Sequence, residues 1–561
     1  MGSKSAYQLS DQWLGKPRPV RVVVIGAGIG GIAAVKLFRE RFKDRPTTLV
    51  IYEKNHDVGG TWLENRYPGC SCDIPAHGYT YSWEGNPSWS KPYVGAEELF
   101  DYFKTRAQAY GVFDHVHLNH RVIEAKWNGL KGQWSLQIED VTNSTIISDE
   151  CDVLINAGGF LNKWKWPNID GIDTYKGFLV HSAAWNPDYS FEGKTVGIIG
   201  SGSSAIQIVP NIQKQVKTMV SFNRSPTWIT PEFAAEFAPE GRASLFTEEQ
   251  KAQWAKSPNE FLKFRKEIEN SGNKFFSLQF KNSALQEELF ETSRAVMEKR
   301  LGGKKELASM IIPSFAKANG YVRMTPGFGY LEALASDNAT VRSDPISRIT
   351  PSGIKMADGT QFALDAIICA TGFDNSYRPA FPVIGENGKD LREEWRDEPR
   401  SYLSVAVAGY PNYIMATGPN FPLANGSLIA CLEQTLRYAF DVVEKIQTQG
   451  VKCLSPTPEA VAEFQEHKDA MMEELVWTSS CRSWYKNGTI NGKVWGPYCG
   501  SVPHFIELLS QPRWEDFKIQ YQSQNRFQYL GMGKTFREVT GGDLSWYVTE
   551  PGANQDNQAG G

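Results

Sequence analysis

Short, unbroken apolar runs rich in β-branched residues punctuate the chain. They are RVVVI (Arg21 to Ile25), TLVIYE ending at Glu53, CDVLINAGGF (Cys151 to Phe160), TVGIIG (Thr195 to Gly200), TMVSFNRSP and AIICATGF (Ala366 to Phe373). Runs of this length without polar alternation predict strands buried on both faces of a parallel sheet. Two of them open into glycine-rich turns and then into helical periodicity, IAAVKLFRERF after the first and the run from Ile206 after the second. From Pro231 to about Ala318 the pattern becomes long, charged and helix-forming. Start signals stand at Thr247 with Gln250, Ser257-Pro258 with Glu260, and Ser283 with Gln286.

The pattern predicts an α/β chain with two Rossmann-like dinucleotide-binding domains and a helical insertion in the second. The first domain is expected to span 1–158 and to be completed by 376–550. The second spans 159–230 and 319–375, interrupted by the insertion 231–318, and 551–561 reads as a disordered tail. The C-terminal part carries no third glycine signature, but it has a helical run, CLEQTLRYAFDVVEKIQ, and an aromatic segment around Trp484.

Composition narrows the function. A length of 561 residues fits more than one domain at roughly 100–200 residues each. The 17 Trp, 22 Tyr and 30 Phe suffice for a large core and aromatic-lined pockets. A net charge of −4 with the two signs interspersed gives no field suited to nucleic acid or an anionic membrane. No window approaches the ~18 consecutive apolar residues of a membrane span. The N-terminal residues lack an apolar secretory core, and Ala6 stands where a myristoylation motif has Ser or Thr. The reading is a soluble, cytoplasmic protein with no obligate protein partner. The eight Cys are scattered, as reduced thiols are.

The first turn, Gly26-Ala27-Gly28-Ile29-Gly30-Gly31, sits between strand and helix, where its glycines let a pyrophosphate approach the helix N-terminus. Glu53 ends the next strand, placed to accept hydrogen bonds from a ribose, which is compatible with FAD. The second turn, Gly200-Ser201-Gly202-Ser203-Ser204-Ala205, has the same setting, with Ser203, Ser204 and Gln207 as further candidate contacts. Its next strand runs into Arg224-Ser225. Arg pairs with a ribose 2′-phosphate where an acid would repel it, so the second dinucleotide reads as NADP. Two different nucleotide sites point to redox chemistry. The loop GGTWLENRYPGCSCD, with Gly60, Thr61, Trp62 and Tyr67, has the composition to pack against a flat ring. His115, His117 and His120 read as a surface strand, and no metal site is expected.

The stretch YKGFLVHSAAW (Tyr175 to Trp185), between the two turns, resembles the fingerprint FxGxxxHxxxW(P/D) of Baeyer–Villiger monooxygenases, and the pairing of TPGFGYLEAL with Arg323 resembles their fungal ketone-oxidising branch. Gly177, His181 and Trp185 match, while Tyr175 replaces Phe and Asn186 replaces Pro or Asp. A second family pattern, (A/G)GxWxxxx(F/Y)P(G/M)xxxD, is met by Gly59, Gly60, Trp62, Tyr67, Pro68, Gly69 and Asp73. The resemblance implies FAD reduced by NADPH, O2 adding at the flavin C4a, and attack of that peroxide on a ketone. A Criegee intermediate then collapses to an ester or lactone. It implies that Arg323 is the catalytic cation, that Asp73 positions it and borders the flavin, and that His181 couples domain motion. Arg224 and Ser225 would clamp the 2′-phosphate, and Trp484 would contact the nicotinamide-side ribose. Val322 stands where the family commonly has Lys. The rival expectations are a related flavin monooxygenase oxidising sulfur or nitrogen, and a flavoprotein that binds without turnover.

Overall fold

The computed structural model describes residues 7–313, 325–424 and 426–548. Val322, Arg323 and the tail 551–561 lie outside the described residues. Two five-stranded parallel sheets organise the chain. The first runs Tyr413–Met415, Val153–Asn156, Val20–Ile25, Thr47–Tyr52, Val116–His117. Starting from the glycine-bearing strand this is the doubly wound order of dinucleotide-binding folds. The second runs Ala339–Arg342, Thr218–Phe222, Thr195–Ile199, Ala366–Cys369, Phe178–His181. Its glycine-bearing strand again lies between the next strand in the chain and a later one. The fold is the expected α/β arrangement with two dinucleotide-type sheets.

The outer edge of each sheet is supplied from elsewhere in the chain. In the first it is Tyr413–Met415, and the helix that follows, Leu428–Thr448, packs on the first glycine helix, Ile29–Phe42, through Phe440 against Phe38 and Phe42. Arg41 fastens the pair by salt bridges to Asp441 and Glu444. In the second sheet the edge is Phe178–His181, inside the fingerprint stretch, paired with Ala366–Cys369. Apart from the half-buried Arg21 and Thr195 the central strands are buried, and each buried Val, Ile or Leu stabilises the fold by about 1.5–3 kcal/mol.

The insertion forms helices Glu248–Lys256, Pro258–Lys274 and Ala284–Arg300. Thr247 with Gln250 closes a capping box, and Ser283 caps its helix. Ser257 departs from expectation and makes no side-chain cap. It ends one helix as it starts the next: its N–H bonds to Gln253 O, and its hydroxyl accepts from Gln253 Nε2 at 3.4 Å. Among the described residues no helix is long and apolar enough to cross a membrane.

Candidate functional site

Each glycine turn is shaped by a close approach that only glycine permits. Gly26 has φ +97°, and an added Cβ would lie 2.9 Å from Ala157 O; Gly200 has φ +121°, and its Cβ would lie 2.4 Å from Ala370 O. The helices after the turns start at Gly28 and Gly202, neither with a side-chain cap. Ser427 and Thr457 cap their own helices elsewhere in the chain. The first N–H groups of both glycine helices are thus left to an anion.

Around the first turn, Glu53 is buried, and its carboxylate takes the Ala27 N–H at 2.7 Å and the Asn55 N–H at 2.9 Å. Burial raises its pKa against these two hydrogen bonds. The loop carrying Gly60, Thr61, Trp62 and Tyr67 docks on the turn, with Gly59 N–H bonded to Ala27 O at 3.0 Å and Gly60 pressed against Gly28. Trp62 is buried edge-on to Tyr79, 5.6 Å between ring centroids. Gly31 is equally close-packed, facing Gly26 O.

The second turn opens on a cavity of about 1130 Å³. Gly200, Gly202, Ser203, Arg224, Ser225 and Trp484 line it, and so does Asp73 from the loop of the first half. Ser204, next on the helix after Ser203, does not line it. Arg224 is exposed and forms no ion pair among the described residues. The position matching Glu53, the residue after the strand, is Asn223. Its amide turns away onto Tyr330 OH at 3.2 Å. Trp484 stacks nearly parallel to Phe160, 6.2 Å between centroids.

Asp73 is a junction of three parts of the chain. Gln207, on the helix of the second glycine turn, donates to Asp73 Oδ1 at 3.1 Å and to Ser71 O at 3.0 Å, while its Oε1 accepts Tyr67 OH at 2.9 Å. Arg242, from the insertion, pairs with Asp73 at 3.1 Å and donates to Ser71 Oγ. The segment bearing Arg242 is held from the first half by Tyr93, whose hydroxyl donates to Phe233 O at 2.6 Å and whose ring lies under the guanidinium. Sequence reasoning overlooked Arg242, which has no motif around it. The one available signal is a basic residue in the turn-forming PEGRAS segment of an otherwise helical insertion. Burial pushes the neighbouring thiols of Cys70 up to about 11 and Cys72 up to about 12, which leaves neither as a nucleophile.

The fingerprint residues do not line the cavity. Tyr175 OH crosses Gly177 to reach Leu364 O at 2.8 Å, which gives the Tyr at a Phe position a hydrogen bond, and a side chain at 177 would strike it. Trp185 packs on Phe191 at 5.4 Å. His181 is fully buried and stacks on Trp164 at 4.6 Å. Its Nδ1 accepts the Ala183 N–H at 3.1 Å, and its Nε2 finds no partner among the described residues. Burial pushes His181 down to about 4, so the ring is neutral.

Residues 19–240 match the family described as flavin-binding monooxygenase-like. An FAD-binding monooxygenase of Aspergillus terreus, tazF, is 40% identical over 97% of each chain. A Baeyer–Villiger monooxygenase of Streptomyces coelicolor is 33% identical over 85% of this chain and 88% of its own. Cyclohexanone monooxygenase from Rhodococcus sp. Phi1, solved bound to NADP+, superposes with a TM-score of 0.76, covering 90% of this chain and 100% of that one. At 24% identity that last likeness concerns the fold alone.

Proposed function

The chain belongs to the flavin-binding monooxygenases of Baeyer–Villiger type, and on that premise we propose that it uses FAD, NADPH and O2 to insert one oxygen beside a ketone carbonyl, giving an ester or lactone. The residues present fit both cofactors. Gly26, Gly28, Gly31 and Glu53, with the loop from Gly60 through Trp62 and Tyr67 to Asp73, would hold FAD against a close-packed turn and an uncapped helix end. Gly200, Gly202, Ser203 and Ser204 would cradle the NADPH pyrophosphate, with Arg224 and Ser225 on its 2′-phosphate and Trp484 over the opening. FAD held at the first turn would supply the redox chemistry, accepting hydride from NADPH and reacting with O2.

The protein's own part is charge and position. Arg323, always protonated, would face the negative charge that grows on the ketone oxygen as the carbonyl is attacked. Asp73 would hold that guanidinium in place. Gln207 and Arg242 fix the Asp73 carboxylate in turn, so the site forms only when both nucleotide halves and the insertion are docked. This three-way junction at the cavity wall is the observation that carries the reading.

The experiment offers purified holoenzyme a panel of ketones and a panel of thioethers and amines, following NADPH oxidation and product mass. Ketone-dependent NADPH oxidation with a product heavier by one oxygen supports the reading. Oxygenation confined to sulfur or nitrogen would replace it, and bound FAD with no NADPH oxidation under any substrate would reduce the protein to a binding flavoprotein.

A further inference from the structure

Part of the cavity wall is built by residues of the insertion and the C-terminal segments, among them Phe233, Phe275, Leu278, Leu428 and Trp477. Phe233 and Phe275 meet edge to face, 5.8 Å between centroids at 87°. This wall is apolar and aromatic, a surface for a flat ring system rather than for a small aliphatic ring alone. Its amides are already committed. Gln279 donates to Ala424 O at 3.1 Å and accepts Trp477 Nε1 at 3.1 Å, and Gln286 donates to Leu278 O.

Set in the same wall is a carboxyl, Glu269, on the helix Pro258–Lys274. It forms no ion pair among the described residues. Arg265, one helical turn earlier, spends its guanidinium on Tyr81 O at 2.8 Å, Thr80 Oγ1 at 3.2 Å and Ser82 O at 3.3 Å. Glu433, the other carboxylate nearby, is held by Ser82 N–H at 2.8 Å. Among the described residues Glu269 forms no hydrogen bond; the Ser427 hydroxyl, which draws its pKa down, accepts Ala430 N–H to cap its helix. A carboxyl in an apolar wall without a committed partner among the described residues keeps its bonding capacity for whatever fills the cavity, and leaving that capacity unused is unfavourable.

We propose that Glu269, supported by Ser427, is a hydroxyl-recognising subsite that selects ketones bearing a hydroxyl group on an aromatic or polycyclic frame. Burial pushes Glu269 up to about 7 against the opposing effects of Ser427 and Arg265, so near neutral pH the carboxyl can both give and take a hydrogen bond. The substrate class rests on the ketone-oxygenating reading above.

The test compares pairs of aryl ketones with and without one hydroxyl on wild-type holoenzyme, Glu269→Leu and Glu269→Gln. It measures kcat and KM, and Kd by quenching of tryptophan fluorescence; flavin content and melting temperature control for folding. Wild type should favour the hydroxylated member by about tenfold or more in kcat/KM, carried by KM. In Glu269→Leu the ratio should fall to within about threefold of one, with Glu269→Gln between. A ratio that survives in Glu269→Leu, or is absent from wild type, overturns the proposal. Ketone oxygenation without hydroxyl preference would sink the subsite alone. Hydroxyl-dependent binding with no ketone oxygenated would sink the ketone reading and keep the subsite.

Discussion

The two glycine turns are made by the same hydrogen bonds and differ in what stands beside them. In the first, Gly26 N–H bonds to Tyr52 O and Ala157 N–H to Ile25 O; in the second, Gly200 N–H bonds to Phe222 O and Ala370 N–H to Ile199 O. Each first glycine is pressed on the carbonyl of the residue after the other neighbouring strand, Ala157 after Val153–Asn156 or Ala370 after Ala366–Cys369. At the end of the next strand the two diverge. Glu53 faces its turn and is tied to Ala27, whereas Asn223 turns to Tyr330 and leaves the exposed Arg224 beside the cavity. One scaffold thus places a buried acid at one glycine turn and an exposed cation at the other. That contrast supports the proposal that FAD occupies the first and NADPH the second.

The strongest way to break the contrast is at the glycines. Gly26→Ala and Gly200→Ala each add a clash to a left-handed residue, whose strain alone is about 1–2 kcal/mol. Gly26→Ala should purify without flavin. Gly200→Ala should keep its flavin absorbance yet lose flavin reduction by NADPH ~100-fold or more, a loss of ~3 kcal/mol. If both lost flavin, or neither did, the two turns would not serve different nucleotides.

Arg224→Ala should raise KM for NADPH about 10- to 100-fold and leave KM for NADH almost unchanged, as expected for removing charge-assisted bonds to a 2′-phosphate. Equal effects on the two would place Arg224 outside that contact. Removing the cation that bridges the halves, Arg242→Ala, should lower ketone turnover about tenfold and divert O2 to hydrogen peroxide, with Arg242→Lys recovering part of the coupling. Flavin content should hold in both. His181→Ala should slow reduction or uncouple oxygen use with FAD still bound; loss of FAD would make His181 a structural residue.

The smallest expected effect concerns one buried histidine in each region. His77, four residues after Asp73, is boxed by Phe246, Trp254, Phe261 and Phe264 at 5.0 to 5.6 Å, with neither ring nitrogen partnered among the described residues. Burial pushes it down to about 3, as it pushes His181 to about 4. The unfolded chain protonates near pH ~6.5, so it binds more protons than the fold between that value and about 3–4. Stability is complete above pH ~6.5 and lost as pH falls through this window. Melting temperature at pH 7 and pH 5 measures it, and His77→Phe, which fits the aromatic box, should shrink the drop.

What could be read from sequence was local. Glycine turns, buried runs and the fingerprint residues announce themselves by spacing, and each expected run forms a strand of one of the two sheets, whereas Val116–His117, Phe178–His181, Ala339–Arg342 and Tyr413–Met415 join the sheets without such a run. Contacts between distant segments left no such mark. Nothing in sequence joins Arg242 to Asp73, 169 residues apart, or Gln207 to Tyr67, 140 apart, because tertiary packing alone brings them together. The fingerprint stretch reads as a link between nucleotide sites. The structure also makes it the edge strand of the second sheet, with Tyr175 and Trp185 serving that sheet's packing. Ser257 illustrates the limit on caps: a start signal fails when the same residue ends the preceding helix.

The most direct test of the central claim follows oxygen itself. Holoenzyme reduced anaerobically with NADPH is mixed with 18O2 and an aryl ketone, and the product is analysed by mass. The account predicts an ester or lactone containing one 18O atom, the original carbonyl oxygen retained, at close to one product per NADPH. Recovery of the label entirely as hydrogen peroxide across the ketone panel, with labelled sulfoxide formed when a thioether is supplied, would contradict it.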